Sequence, residues 1–257
     1  MKNIVPTSIL ITGASSGIGQ ALALEYAGPG VHLSLTGRDA GRVAEVGRAC
    51  QDLGATTTVK VLDVTDQSAM AAFIRAIDAL HPLDLVIANA GISTGSSFAQ
   101  KGESEAQARA IFDVNFTGVL NTIWPAIDAM KLRRCGQIAV ISSIAGLVAL
   151  PGAPAYSASK AAVKAYAEAL NGALRGDGII VTTVCPGFVK SRITAQNPFP
   201  MPFLMTSAKA ARIIRTGLKK GEMSLFFPWR LAAITWMISV LPPSLRGMIL
   251  RRAPKKT

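Results

Sequence analysis

The sequence predicts a single α/β domain built around a parallel sheet. Three observations lead there. Short β-branched runs alternate with longer helical periods from residue 8 to residue 185, as βαβ units do. A glycine-rich turn joins the first run directly to the first helical period. The 257 residues, 50% of them apolar and 16% charged, are enough to bury one sizeable core.

Ser8 to Thr12 reads as the first strand and Ile18 to Ala27 as the first helix. Val31 to Thr36 is a second strand, and Gly41 to Leu53 a helix on the 3.6-residue period. Thr57 to Leu62, Gln67 to Leu80 and Leu83 to Ala88 continue as strand, helix and strand. A long helical stretch from Glu103 to Arg133 is expected to break near Asn115 to Gly118. Gln137 to Ser142 is the fifth strand, Ala155 to Leu174 a helix, and Ile179 to Cys185 the sixth strand. Phe188 to Thr206 reads as a loop rich in Pro, Met and Phe. Ser207 to Lys220 is a basic helix, Leu225 to Phe227 a short strand, and Leu231 to Leu241 an uncharged run ending at Pro242-Pro243. No repeat or low-complexity linker interrupts the series, so residues 1–257 are one domain, with its motifs in 5–192. Residues 188–222 hold a loop and basic helix, and 223–257 are a C-terminal extension.

The net charge of +12 is unevenly placed. Residues 1–186 balance, whereas 187–257 hold 13 basic residues and one acid, Glu222. That distribution argues against a uniformly basic nucleic-acid binder, and no nucleic acid is expected as a partner. Cys50, Cys135 and Cys185 lack CxxC spacing, and only two histidines are present, so neither a disulfide framework nor a zinc site is expected. Reduced thiols fit a cytoplasmic protein. Lys2 and the apolar residues after it do not form a signal peptide, because they run directly into the glycine turn. His32 opens a strand and His81 precedes Pro82; both read as structural or surface residues.

Thr12-Gly13-Ala14-Ser15-Ser16-Gly17-Ile18-Gly19 stands between a strand and a helix, where glycines permit a tight turn and close backbone approach to a pyrophosphate. Tyr156 and Lys160 share a helical face at i and i+4. A nearby lysine cation favours the phenolate and makes a tyrosine usable as a general acid/base. Ser143 closes a strand thirteen residues earlier, where its hydroxyl can meet a carbonyl oxygen.

Thr12-Gly13-x-x-x-Gly17-x-Gly19, Asn89-Ala90-Gly91, Asn115, Ser142-Ser143, Tyr156-x-x-x-Lys160 and Pro186-Gly187 resemble, in order and spacing, the short-chain dehydrogenase/reductase family. The resemblance covers about residues 5–192. It implies a Rossmann-type, doubly wound parallel sheet, a nicotinamide cofactor, and hydride transfer between that cofactor and a carbonyl or alcohol. By the same resemblance Tyr156 is the proton donor and acceptor, and Ser143 positions the substrate oxygen. Lys160 lowers the tyrosine pKa and binds the nicotinamide ribose, and Asn115 holds a relay water. Gly13, Ser15, Ser16, Gly17, Ile18 and Gly19 would approach the cofactor phosphates. Asp63 with Val64 would hold the adenine, and Asn89, Ala90 and Gly91 its ribose. Pro186, Gly187, Val189 and Ser191 would cover the nicotinamide. The loop that opens residues 188–222 lies where the resemblance implies a substrate lid. The resemblance also implies a homo-oligomer joined through the helix around Asn115 and the helix carrying Tyr156.

At the end of the second strand Gly37 stands where an NAD site places a carboxylate, and Arg38 follows, which favours NADP(H). Ser16, in place of a basic residue, and Asp39, beside Arg38, point the other way. Phe188, Phe199, Met201, Phe203, Leu204 and Met205 suggest a lipophilic ketone, aldehyde or acyl-chain substrate. A non-catalytic regulatory or scaffold protein of the same fold is the competing reading, and the set Asn115, Ser143, Tyr156 and Lys160 discriminates against it. Leu231 to Leu241 is too short to span a bilayer. Followed by a helix capped by Ser244, with Leu245, Met248 and Ile249 on one face among arginines, it fits a peripheral anchor on an anionic membrane. An extension closing the pocket or a subunit interface fits equally, and steering of an anionic substrate is a third option.

Overall fold

A computed structural model of the protein describes residues 5–93, 103–195, 197 and 199–251. Lys2, Pro198 and the tail charges Arg252, Lys255 and Lys256 lie outside the described residues, as does the side chain of Arg251.

Seven parallel strands form one sheet in the order β3-β2-β1-β4-β5-β6-β7. They are β1 (Ser8–Ile11), β2 (His32–Gly37), β3 (Thr56–Val61), β4 (Leu85–Ala88), β5 (Gly136–Ile141), β6 (Ile179–Pro186) and β7 (Ser224–Phe227). The central strands β1, β4 and β5 are buried at every residue, Ser8 and Gln137 included, which is why they read as mainly apolar runs rather than alternating ones. Alternate side chains point to opposite faces and feed two separate cores. Ile9, Ile11, Leu33, Leu35, Leu85 and Ile87 pack with α1 (Gly17–Tyr26), α2 (Ala40–Asp52) and a later basic helix, Ser207–Lys220. Leu10, Val86, Ala88, Ile138 and Val140 pack with α3 (Gln67–Leu80) and with the helices Gly118–Arg133 and Pro154–Leu174. The sheet is therefore doubly wound. The chain runs outward from β1 through β2 to β3, then returns to β4 on the other side. Such a reversal opens a crevice at the carboxyl ends of β1 and β4.

The long helical stretch divides as its sequence suggests. α4 (Glu105–Phe112) starts at a Ser104–Gln107 capping box, a π-helical turn covers Asp113–Thr117, and α5 (Gly118–Arg133) follows. α6 (Pro154–Leu174) carries Tyr156 and Lys160. After β6 the segment expected to be a loop contains a short helix, α7 (Arg192–Ala195), held because Ser191 and Thr194 bond each other. α8 (Ser207–Lys220), β7, α9 (Trp229–Ser239) and α10 (Pro243–Arg251) complete the chain. Cys50 and Cys185 are buried, Cys135 is exposed, and all three are free.

Candidate active site

A cleft of about 630 Å³ follows the carboxyl edge of the sheet from the β1–α1 turn to the base of the lid. The glycines at its first end are dictated by space. Gly13 has φ +65°, and a Cβ there would stand 2.8 Å from the Ala90 Cα. Gly17 has φ +60°, and a Cβ would reach across the cleft to within 3.1 Å of the Ser191 Cβ. Gly19 sits behind the wall, where a Cβ would overlap the Gly13 carbonyl and come within 2.5 Å of Asn89 Nδ2. It serves close packing of α1 on the turn. The Asn89 side chain holds that turn, donating to the carbonyls of Thr12 (2.9 Å) and Gly13 (3.2 Å). Ser16 precedes α1 without a side-chain cap, so the first amides of the helix face the cleft with no capping oxygen. Such an end suits a phosphate.

At the end of β2 the charges sort themselves in a way the sequence leaves open. Asp39 caps α2, its Oδ1 accepting from the Arg42 amide at 3.0 Å, while its Oδ2 pairs with the Arg42 guanidinium at 2.7 Å. Arg38 is free of Asp39 and comes only within 4.0 Å of Asp63. Asp63 accepts from the amide (2.9 Å) and hydroxyl (2.8 Å) of Thr65, and the Thr65 amide is the main cause that lowers its pKa. Arg42 lines the cleft with Arg38, and its buried Nε has no partner among the described residues. Arg42 escaped the sequence reading. Its signal was present as a second cation four residues after Arg38, at the first turn of α2.

At the other end, β5, α6 and the π turn converge. The two serines after β5 do different things. Ser142 Oγ donates to the Lys160 carbonyl (2.7 Å) and pins α6 to the sheet. Ser143 Oγ accepts from the Ala145 amide (3.1 Å) and faces Tyr156. Burial raises the Tyr156 pKa above its ordinary 10.0, and the hydrogen bond with Ser143 partly offsets this, so the phenol is protonated at neutral pH. Lys160 Nζ donates to the Ile141 carbonyl at 2.8 Å, and burial lowers its pKa to about 8.

Asn115 is fully buried, and its side chain is committed. Oδ1 accepts from the Ile92 amide at 2.8 Å, while Nδ2 donates to the Ile92 carbonyl (2.9 Å) and to Ser159 Oγ (3.0 Å). Ser159 Oγ in turn donates to the Tyr156 carbonyl at 2.9 Å. The amide thus locks the loop after β4 to the turn that carries the tyrosine. Ile92 is the partner that sequence reasoning missed, because the contact joins residues far apart in the chain.

Ser15, Ile18, Val64, Gly91, Pro186, Gly187, Val189 and Ser191 all line the same cleft, whereas Gly19 and Asn115 stand behind its wall. Phe188, Phe199, Met201, Phe203, Leu204 and Met205, expected from sequence to line it, do not, Met205 being buried in the core and Phe203 and Leu204 exposed. Thr194, a further residue not foreseen, accepts from the Ser191 amide (2.8 Å) and donates to the Val189 carbonyl (2.8 Å), fixing the base of the lid. Among the described residues no cluster of His, Cys, Asp or Glu could hold a metal.

Residues 7–199 match the family described as short chain dehydrogenase. The chain belongs to that family. It is 42% identical over 244 residues to an oxidoreductase of Myxococcus xanthus, covering 95% of this chain and 96% of the relative. It is 36% identical over 231 residues to a 3-dehydrosphinganine reductase of Arabidopsis thaliana, covering 84% of this chain and 68% of that one. A short-chain dehydrogenase from Sphingobium yanoikuyae, solved in complex with NADPH, shares the fold with a TM-score of 0.80 at 24% identity, over 95% of each chain. The chain is therefore an oxidoreductase with the doubly wound sheet of the short-chain dehydrogenases.

Proposed function

We propose that this dehydrogenase is an NADP(H)-dependent enzyme interconverting a carbonyl and an alcohol on a lipophilic substrate, of ketone, aldehyde or 3-oxoacyl type. The observation that carries this reading is one cleft with Arg38 and Arg42 at one end and Ser143, Tyr156 and Lys160 at the other. The glycine cradle and the uncapped start of α1 fit a dinucleotide phosphate. Arg38 and Arg42 fit a 2′-phosphate, since Asp39 is taken by Arg42 and Arg38 comes only within 4.0 Å of Asp63. Bound there, the nicotinamide supplies or accepts the hydride. Tyr156 Oη gives its proton to the oxygen of the reacting carbonyl, and the raised pKa keeps that proton available at neutral pH. Ser143 Oγ, fixed by the Ala145 amide, orients that oxygen. Lys160 holds positive charge beneath the site and meets the nicotinamide ribose. Asn115 lies in the π turn Asp113–Thr117, outside the regular i→i−4 ladder, and would hold the relay water.

The substrate end supports a lipophilic molecule. Phe188 and Phe199 meet edge to face at 6.1 Å, and Leu231 of α9 packs over Gly187, where a Cβ would lie 2.9 Å from it. The name of the Arabidopsis relative points to the same class. Carbonyl compounds of increasing chain length, followed by consumption of NADPH, test the reading. Rising kcat/KM with chain length supports it, and turnover confined to small polar carbonyls would overturn the substrate class.

A further inference from the structure

Helices α9 and α10 leave a broad apolar face uncovered. α9 turns Ala232 and Thr235 inward and packs Leu231 against the cleft wall at Gly187. Its other side carries Trp229 (71% exposed), Trp236 (58%), Met237 and Val240 (62%). Arg246 Nη1 donates to the Ser239 carbonyl at 3.0 Å and ties α10 to the end of α9, and α10 adds exposed Leu245 and Met248. Large apolar side chains gathered on one surface mark a site of association. After Glu222 the sequence has no acid, and it supplies Arg230, Arg246, Arg251, Arg252, Lys255 and Lys256.

We propose that the α9–α10 face docks on the surface of an anionic lipid bilayer. Charge complementarity selects this occupant. A second copy of the chain would set basic rim against basic rim, whereas anionic headgroups neutralise it. Exposed tryptophans beside aliphatic side chains and cations are the composition of an interfacial helix. The 11 residues of α9 fall short of the ~20 needed to cross the hydrocarbon, and no helix among the described residues is long and apolar enough to do so. The face therefore lies in the headgroup layer. Leu231 belongs to the same helix, so docking brings the substrate end of the cleft to the lipid.

The test is co-sedimentation of the full chain with vesicles of phosphatidylcholine alone or mixed with phosphatidylglycerol. It needs no turnover, so its failure and that of the proposed carbonyl chemistry are read separately. Binding is expected on the mixed vesicles, falling about tenfold or more on neutral vesicles, at high salt, or in the double variant Trp236→Glu/Met237→Glu. In a Trp124→Phe background, brominated lipid should quench the fluorescence of Trp229 and Trp236, a readout independent of whether the glutamate variant folds. Absence of binding at low salt, or unquenched tryptophans, would overturn the proposal. A parent dimer that ignores vesicles and is split by the glutamate variant would assign the face to a second copy instead.

Discussion

Removing Arg38 and Arg42 in turn separates their contributions to a 2′-phosphate. The Arg38 side chain is 63% exposed, so water and salt weaken any contact it makes. A charge-assisted contact of about 1.5 kcal/mol, the low end of its range, corresponds to roughly tenfold in kcat/KM. Arg38→Ala should therefore lower kcat/KM for NADPH about tenfold and leave NADH within about twofold. Arg42→Ala does two things. It removes a cation and strips the 2.7 Å partner from Asp39 Oδ2, leaving a bare carboxylate in the cleft. Repulsion then adds to the lost attraction, so the NADPH loss should exceed that of Arg38→Ala, reaching about a hundredfold, while NADH gains. The double variant should fall short of the product of the two, because both cations share one phosphate. The assay is kcat/KM for both cofactors with one carbonyl substrate, repeated at low and high salt. Equal use of the two cofactors by the parent, or equal losses with both in Arg38→Ala, would refute the reasoning.

The remaining predictions concern the reacting end and the assembly. Tyr156→Phe should lower turnover at least about a hundredfold while NADPH binding, read by its fluorescence, stays near the parent value; turnover within a few-fold would remove Tyr156 from the proton step. Asn115→Ala leaves the Ile92 amide and carbonyl without partners at about 1–3 kcal/mol each, so Tm should fall by several degrees, and an unchanged Tm would contradict the committed side chain. Burial lowers Lys160 to about 8 from an ordinary 10.5, so the unfolded chain binds more protons between those values and stability should rise with pH through that window relative to Lys160→Met. A flat parent-minus-variant difference in chemical denaturation would count against it. The exposed small residues Ala161, Ala165 and Ala169 of α6, with exposed Phe112 and Trp124 on the neighbouring helices, fit a homo-oligomer, which light scattering should show and which Ala165→Arg should split.

The strands were legible because strands buried on both faces are mainly apolar and β-branched, and the helices because their apolar positions recur on the 3.6-residue period. The break near Asn115 was legible too, and it became the π turn at Asp113–Thr117. Pairings between elements were not. Asp39 stands next to Arg38 in the chain, yet an N-cap carboxylate faces the first turn of its own helix, so Arg42 takes it. The partner of Asn115 is Ile92, a main-chain group with no side-chain signature. The run from Leu231 to Leu241 suits a buried helix and an interfacial one equally, because periodicity reports amphipathicity and an uncharged run with only Thr235 and Ser239 polar has little to report. The structure packs Leu231 against Gly187 and leaves Trp229 and Trp236 outside, so the helix is not wholly buried within the described residues.

The two halves of the cleft are held differently, and that difference governs what sequence can specify. At the reacting end Ser142 grips the Lys160 carbonyl, Lys160 grips Ile141, and Asn115 joins Ile92 to Ser159 and through it to Tyr156. Each of these bonds is short and buried or partly buried, and together they tie the end of β5, the loop after β4 and the π turn to α6, so the side chains that would meet the reacting carbon have one geometry. Particular residue types are then required at particular positions, and a motif results. The substrate end is flanked by a segment whose base is set by main-chain bonds between Phe188, Lys190 and Met205, and whose sequence is rich in Met and Phe. Main-chain bonds accept almost any side chain, and Met and Phe fill irregular space without fixing polar partners. That end leaves no motif. A rigid reacting end beside an adaptable segment is what the proposed range of lipophilic carbonyls would require, and the proposed docking face on α9 would set which of them reach the proton donor.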